Sequence, residues 1–172
     1  MSTVLLGVPV MVLRYGLMGL VSKHALERAG RWPPTRGVET AAQAVVEISS
    51  LVLFAYLFFA RARLQTVLNW AGLAAYVVGA ALYAKSVVDY ARPRADGLNT
   101  NGLYMYSRNP MYVAFFLHLL GLGLMIDSWF FVAVLLVYQA ANHFLILAEE
   151  RWCIAMFGED YTLYMNRVRR YI

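Results

Sequence analysis

The sequence predicts an all-α, polytopic membrane protein with five transmembrane helices. Of its 172 residues, 61% are hydrophobic and only 15% are charged. The apolar residues also form long runs, and a helix needs about 20 apolar residues to cross a bilayer core of about 30 Å. The five runs are residues 3–21, 40–60, 68–88, 111–126 and 129–148. The first run is interpreted as a helix, not a signal peptide, because no positive charge precedes it.

Lys and Arg are distributed unevenly over the loops between these runs. Arg61 and Arg63 lie on one side, whereas most of the remaining basic residues lie on the other. Because cytoplasmic loops carry an excess of Lys and Arg, we expect the N-terminus outside and the C-terminus in the cytoplasm. The net charge of +5 then follows from topology and does not indicate nucleic-acid binding.

The metal-ligating residue types show no pattern that predicts a metal site. Cys153 is the single cysteine, so neither an internal disulfide nor a CxxC motif is present. His24, His118 and His143 lie far apart and lack the HExxH spacing. We therefore expect no metal ion.

The chain is predicted to form one membrane domain, residues 1–172, with two parts. Residues 1–88 hold the first three runs and form an N-terminal three-helix part. Residues 89–172 hold a polar segment, the last two runs and a charged tail. Polar residues concentrate in this second part, which we therefore expect to carry the chemistry.

The last two runs are predicted to form a tight antiparallel hairpin. Only Asp127 and Ser128 separate them, and so short a connection forces neighbouring helices to run antiparallel. Ser128 is the expected N-cap of the second helix. Counting outward from the tip, residues 106–109 lie at the depth of residues 146–149. Polar groups from two distant stretches should therefore meet at the cytoplasmic boundary.

Three motifs surround this hairpin. Residues 102–112 read Gly-Leu-Tyr-Met-Tyr-Ser-Arg-Asn-Pro-Met-Tyr, an acidic pair follows at 149–150, and Phe-Gly-Glu-Asp-Tyr stands at 157–161. Their order and spacing resemble the isoprenylcysteine carboxyl methyltransferase and phospholipid methyltransferase superfamily, whose pattern is G-x-Y-x-x-x-R-H-P-x-Y, E-E and F-G-x-x-Y. The resemblance covers about the last seventy residues. It implies an integral membrane enzyme that transfers a methyl group from S-adenosyl-L-methionine to a lipophilic substrate. Membrane lipids are then expected partners of the chain.

The resemblance also implies the site residues. The candidate catalytic residues are Arg108, Asn109 and Glu150. The candidate cofactor-binding residues are Gly102, Tyr104, Tyr106, Arg108, Asn109, Pro110, Tyr112, Glu149, Glu150 and Tyr161. A guanidinium suits the carboxylate of the cofactor, a carboxylate suits its cationic amino end, and aromatic rings suit its adenine and sulfonium. Neighbouring helix residues point about 100° apart, so which of the two acids faces the pocket stays open.

Asn109 stands where the family pattern has His. Asn keeps a donor and an acceptor but carries no titratable proton near neutral pH, so it does not act as a general base. We interpret Asn109 as a hydrogen-bonding residue and helix N-cap, with Pro110 as the first helical residue. A prenylcysteine carboxylate needs no base to attack, which mildly favours it. A phospholipid amine and a small lipophilic thiol stay open.

Other polar residues lie inside the predicted helices. Gln139, His143 and Glu150 share one face of the fifth helix. This face predicts either a substrate route from bilayer to cofactor or interhelical hydrogen bonds. His118 is interpreted as structural.

Two further features concern helix packing. Gly121 and Gly123 lie far from Arg108, so they are interpreted as sites of close helix packing. Arg14 and Glu47 lie at matching depth in the first two helices. Because opposite charges in a bilayer are costly unless they are paired, they predict an ion pair.

Two other functions stay open. Membrane sterol reductases also resemble this superfamily, and a nicotinamide cofactor with a 2′-phosphate would need a basic cluster, for which Arg167, Arg169 and Arg170 are candidates. A non-enzymatic membrane protein is the second alternative, although five helices without repeat symmetry do not suggest a transporter. Binding of S-adenosylhomocysteine separates these alternatives from a methyltransferase.

Overall fold

The protein is all-helical, as predicted. The structure, a computed structural model, describes residues 3–172. In that part of the chain no β-strand occurs, only an isolated bridge between Ser107 and Arg169. The helices are α1 (Val4–Met11), a π-helical segment (Val12–Leu17), α2 (Met18–Val21), α3 (Lys23–Ala29), α4 (Val38–Tyr56), α5 (Val67–Tyr90), a short 3-10 helix (Gly102–Met105), α6 (Pro110–Met125), α7 (Trp129–Phe157) and α8 (Glu159–Arg167).

Three of these helices, α4, α5 and α7, are long and apolar enough to cross a membrane. Two other apolar helices, Leu5–Val21 and α6, are shorter. The outer surfaces of these helices, and the turn after α4, expose large apolar side chains that a soluble protein would bury: Leu20, Leu51 and Phe59 are 87%, 72% and 86% exposed. Such a surface is matched to a bilayer, which supports an integral membrane protein.

Helices α5 and α6 pack against each other closely through glycines. A side chain at Gly121 would place its Cβ 2.5 Å from the carbonyl oxygen of Gly72, and one at Gly79 would collide with the backbone of His118. His118 itself is buried, with Nδ1 3.1 Å from the carbonyl oxygen of Tyr76. These contacts support both predictions made for this region, close packing at the glycines and a structural role for the histidine.

The connection between α6 and α7 is as short as predicted. Ser128 caps α7, since its Oγ accepts a hydrogen bond from the Phe131 amide at 3.2 Å. Asp127 adopts a positive φ of 50° and accepts a 2.7 Å hydrogen bond from the buried side-chain amide of Asn69. The two arms nevertheless pack on different partners, α6 on α5 and α7 on α4. Space is thereby left between them away from the tip.

The predicted ion pair between Arg14 and Glu47 is wrong. Glu47 instead accepts a 3.1 Å hydrogen bond from Gln43, one turn earlier on α4. Among residues 3–172, no carboxylate lies within 4.0 Å of Arg14. The reason is rotation about the helix axis: matching depth does not make two side chains face each other, and the Glu47 side chain is exposed on the surface of α4.

Candidate active site

The segment between α5 and α6 is anchored by one buried carboxylate, that of Asp89. Its Oδ2 accepts a 2.9 Å hydrogen bond from the Leu103 amide, and Lys85 forms an ion pair with Oδ1. Gly102 adopts a positive φ of 54°, and a Cβ at this position would collide with the same carboxylate. Gly102 therefore supports the site by letting the backbone approach Asp89, and no other residue fits there.

The start of α6 is held from the other side by the tail that follows α8. The Arg108 amide donates to the Arg169 carbonyl at 2.9 Å. Asn109 lies at the N-cap position, as predicted, but its side chain makes no cap bond. Its Nδ2 instead donates to the Arg170 carbonyl at 3.1 Å. The tail and the motif therefore form one unit at the end of α6.

Glu150 forms the centre of a buried ion cluster. It accepts from Arg108 Nη2 at 2.9 Å and from Arg170 Nη2 at 2.8 Å. The Arg108 and Glu150 side chains are only 8% and 6% exposed. The Arg170 guanidinium donates hydrogen bonds to Glu150, and these bonds raise the pKa of Arg170. Glu150 therefore offsets part of the positive charge of the two arginines and positions both side chains.

Glu149, the preceding residue, has different partners. Its Oε1 accepts a 2.7 Å hydrogen bond from the Tyr112 hydroxyl, and within residues 3–172 no Lys, Arg or His side chain forms an ion pair with it. Both acids line the same cavity. Glu150 already has two cationic partners, so Glu149 is the acid available for a ligand's positive charge.

Three tyrosines outside the predicted spans lie at the polar end of the site. Tyr104, Tyr161 and Tyr164 are buried, and the Tyr164 hydroxyl donates to the Tyr104 carbonyl at 2.6 Å. Burial raises the pKa of each of the three phenols above the usual value of 10.0. They therefore stay neutral at physiological pH and provide aromatic surface and hydrogen-bond donors, not bases.

One cavity of about 260 Å³ connects these groups. Seven of the ten predicted cofactor-binding residues line it: Tyr104, Arg108, Asn109, Tyr112, Glu149, Glu150 and Tyr161. Of the other three, Gly102 packs on Asp89, Pro110 is buried as the first residue of α6, and Tyr106 is 75% exposed. The 3-10 helix before Tyr106 ends the segment with that side chain pointing away from the cavity.

The two predicted substrate-route residues lie outside the cavity lining. His143 Nδ1 is 2.7 Å from the Tyr171 hydroxyl. Gln139 Oε1 is buried without a hydrogen-bond partner among the described residues. The substrate route along this face stays a prediction.

The cavity also has a wall that the sequence did not predict, formed by residues before α4. Arg14 and Met18 come from the first apolar helix, and Arg28 from α3. Arg28 donates to the Tyr90 carbonyl at 2.6 Å and stacks over the Tyr90 ring, 4.4 Å from its centroid. The sequence signal for this wall is Arg14, an arginine inside the first apolar run. Its depth predicts an ion pair with Glu47 and not a place in the cavity lining.

The loop before α4 covers part of the cavity. Trp32 lies in this loop and lines the cavity. Arg151 of α7 fixes the loop by donating to the Pro34 carbonyl at 2.9 Å and to Glu39 Oε2 at 2.7 Å.

The part of the chain that the structure describes contains no group of three or more His, Cys, Asp or Glu side chains suited to a metal ion.

Comparison with known proteins places this site in a family. The sequence model of the phospholipid methyltransferase family matches residues 64–160, which is more than half of the chain. Protein-S-isoprenylcysteine O-methyltransferase of Schizosaccharomyces pombe is 35% identical over 85 residues, which is 48% of this chain and 35% of the relative. The match thus spans about a third of the length of this curated relative. No solved structure matches the chain. The match from residue 64 to 160 includes α5, the anchored segment, α6 and both acids, and this chain belongs to the phospholipid methyltransferase family.

Proposed function

We propose that this chain is an S-adenosyl-L-methionine-dependent methyltransferase that acts on a lipophilic substrate at a membrane. The observation that carries the proposal is the convergence of the family motif on one cavity. Residues from 104 to 161, contributed by the anchored segment, α6, α7 and α8, line the same space. Residue pairs more than 35 positions apart, such as Tyr112 with Glu149, meet there at hydrogen-bond distance.

The lining fits this cofactor in charge and shape. The Glu149 carboxylate is available for its ammonium group, and the Nε of Arg108 is buried without a partner among the described residues. Tyr104 and Tyr161 offer rings to the adenine and the sulfonium. The cavity volume of about 260 Å³ is close to the lower end of the range for ligand pockets. When bound, the cofactor would supply an electrophilic methyl group.

The residues of the chain would align the reactants and exclude water. Glu150 holds Arg108 at one orientation, and the tail fixes Asn109 through the Arg170 carbonyl. Methyl transfer depends mainly on such alignment in a closed site. Neither Asn109 nor the neutral phenols of Tyr104 and Tyr161 supply a base, so an acceptor that attacks without losing a proton suits this site best. Arg108, Asn109 and Glu150 are the residues proposed to act at the reaction centre.

The acceptor is proposed to be a prenylcysteine carboxylate, with a phospholipid amine or small lipophilic thiol as alternatives. The yeast relative is named as an isoprenylcysteine O-methyltransferase, which supports the first. Residues 89–172 are proposed as the catalytic part and residues 1–88 as a supporting three-helix part, and the family match covers most of the first and the end of the second. We further propose five transmembrane helices with the N-terminus outside and the C-terminus in the cytoplasm, since most Lys and Arg residues lie on the loops of one side.

Calorimetric binding of S-adenosylhomocysteine to the detergent-purified chain tests the cofactor. We expect saturable binding that is weakened at least tenfold in Glu149→Gln, since this change removes the negative charge and keeps the shape. Glu159→Gln is the matched control, because Glu159 is exposed on α8 and lies outside the cavity lining. It should bind as the wild type does.

Absence of binding by folded protein would remove the methyltransferase proposal. The nicotinamide alternative would then be tested next, although one of the arginines it requires, Arg170, is already paired with Glu150. Equal loss of affinity in Glu149→Gln and Glu159→Gln would show that the acidic charge acts at long range, and would place the donor outside this cavity.

A further inference from the structure

The cavity is lined by a cation, Arg14, to which the methyl-donor proposal gives no role. We propose that Arg14 is a subsite for the anionic group, carboxylate or phosphate, of an amphiphilic acceptor that enters from the bilayer. The proposal rests on the proposed function, because it names the class of acceptor that the same cavity takes. An acceptor with a neutral or cationic head would lack this contact.

Arg14 lies in the middle of the first apolar helix, yet its side chain is accessible and lines the cavity. A guanidinium at this depth is costly unless an anion accompanies it. Throughout residues 3–172, no carboxylate lies within ion-pair distance of it. Its guanidinium carbon lies 5.9 Å from the centroid of the Tyr15 ring. The cavity is therefore the place from which a partner anion would come.

The local backbone supports a role in binding. Arg14 belongs to the π-helical segment Val12–Leu17, and π-helical turns in membrane and soluble helices occur frequently at functional sites. The segment interrupts the regular α-helical hydrogen bonding at Arg14. Glu47 is exposed on α4 and bonded to Gln43, so it does not serve as the anion for this guanidinium.

The surroundings of Arg14 suit an apolar chain. Tyr83, Phe115 and Tyr138 line the cavity and form an aromatic group, with Phe115 5.8 Å from Tyr138 and 6.0 Å from Tyr83 between ring centroids. Arg14 is the cation that faces the Tyr83 and Tyr138 phenols. One cation beside three aromatic rings matches a molecule with an anionic head and an apolar tail.

Opposite charges occur together in this cavity. Arg14 and Glu149 both line it and interact electrostatically, although they form no ion pair. An anionic acceptor group held by Arg14 would therefore lie near a cationic donor bound at Glu149, as methyl transfer between the two requires. This arrangement disfavours a cationic lipid as the acceptor.

The test measures binding of two pairs of probes with identical tails. The anionic probes are N-acetyl-S-farnesylcysteine and farnesyl phosphate, and their neutral partners are the methyl ester of the first and farnesol. Trp32 and Trp152 line the cavity, so their fluorescence reports occupancy in the full-length, detergent-purified chain. The variants are Arg14→Gln and Arg14→Lys. Arg61→Gln is the control, because Arg61 is exposed and lies outside the cavity lining.

In the wild type and in Arg61→Gln, at least one anionic probe should bind about tenfold more tightly than its neutral partner, as expected for a charge-assisted hydrogen bond. Arg14→Gln should abolish this preference while leaving the affinity for the neutral probe within about twofold. Arg14→Lys should keep part of the preference, because the charge remains. Comparison of the carboxylate pair with the phosphate pair then identifies the headgroup.

Two results would overturn the subsite. The first is an unchanged preference for the anionic probes in both Arg14 variants. The second is a loss of S-adenosylhomocysteine affinity in Arg14→Gln without loss of probe binding, which would assign the guanidinium to the donor's own carboxylate. Wild-type protein that shows the Arg14-dependent preference but no S-adenosylhomocysteine binding would contradict the proposed methyltransferase and leave the subsite standing, so the two failures are distinguishable.

Discussion

The two ends of α6 are built in opposite ways. Toward its C-terminus, α6 meets α5 through glycines, and the backbones approach so closely that a single methyl group has no room at Gly121. At its N-terminus, Arg108 and Asn109 meet α7 and the tail through ion pairs and hydrogen bonds around Glu150. The first end is dry and close-packed, whereas the second is polar and lines a cavity.

The difference teaches how a small membrane protein keeps a cavity open. Because α6 is fixed rigidly on α5, it does not need α7 for its position, and α7 packs on α4 instead. The start of α6 and the facing part of α7 are then joined by charged groups that also form the cavity wall. Packing contributes stability at one end of α6, and ionic contacts contribute both stability and chemistry at the other.

The largest effect on stability is expected at the close-packed end. Gly121→Ala places a Cβ 2.5 Å from the Gly72 carbonyl oxygen, and overpacking of this kind costs about 2 to 3 kcal/mol. Gly19→Ala is the matched control in another apolar helix, where the Cβ would meet only Leu26 Cδ2 at 3.5 Å. It should be neutral or stabilising by less than about 1 kcal/mol. Thermal unfolding in detergent measures both, and equal unfolding temperatures would contradict the close contact.

Removing the centre of the ion cluster comes next. Glu150→Ala leaves Arg108 buried without its ion pair, and the loss of one partner of a buried pair costs about 3 kcal/mol or slightly less where the site admits water. Glu149→Ala should destabilise the protein less, because it removes only the hydrogen bond that the Tyr112 hydroxyl donates to this carboxylate.

The Glu149→Ala and Glu150→Ala variants should also differ in their affinity for S-adenosylhomocysteine, and this difference should not simply follow their difference in stability. If Glu149 is the acid that meets the cofactor, Glu149→Ala should reduce S-adenosylhomocysteine affinity even though the protein stays folded. A Glu149→Ala protein that is less stable than the Glu150→Ala protein would contradict this prediction. The structural role would then belong to Glu149 and not to Glu150.

Much of the fold was predictable because hydropathy is a local property. Each of the five apolar runs is helical for most of its length, and Ser128 caps α7 as its position predicts. The end of α7 differs: the apolar run stops at residue 148, but the helix continues to Phe157. Leaving the bilayer ends the need for apolar side chains, not the helical hydrogen bonding, so polarity marked the wrong boundary.

The sequence predicted which residues contribute to the site, but not the role of each one. The motif pattern named residues that do share a cavity, but it did not separate those that line it from Gly102, which only supports the backbone. It also left the two acids equivalent, because the partner that distinguishes them is Arg170, twenty residues later in the tail. The failure at Arg14 and Glu47 has a related cause. Hydropathy gives the depth of a residue and not its rotation about the helix axis.

A smaller effect is expected at the tyrosines that close the polar end. Tyr164→Phe removes the hydrogen bond to the Tyr104 carbonyl, which costs about 1 kcal/mol at neutral pH. The pKa of Tyr164 is raised above 10.0 in the folded protein, so the unfolded chain loses this proton first as the pH rises. Stability is therefore constant below about pH 10 and falls above it. Tyr164→Phe should show a shallower alkaline decline in unfolding temperature.

The control for this change is Tyr106→Phe, since the Tyr106 side chain is 75% exposed. Its unfolding temperature at neutral pH should match that of the wild type. An alkaline decline in Tyr164→Phe as steep as that of the wild type would assign the pH dependence to Tyr104 or Tyr161, whose pKa values are also raised by burial.

The smallest effect is expected where the chain departs from the family pattern. Asn109→His restores the histidine, and a protonated imidazole nitrogen near the position of Asn109 Nδ2 keeps a donor for the Arg170 carbonyl, now bonded at 3.1 Å. Unfolding free energy and S-adenosylhomocysteine affinity should therefore stay within about 0.5 kcal/mol of the wild type, whereas Asn109→Ala should lose about 1 kcal/mol of stability. A new pH dependence of methyl transfer near the usual pKa of histidine, about 6.5, would appear in Asn109→His if this position supplied a base. An unchanged pH profile would show that the residue positions the tail against α6, which is the role that its bond to Arg170 gives it in the polar half of the comparison.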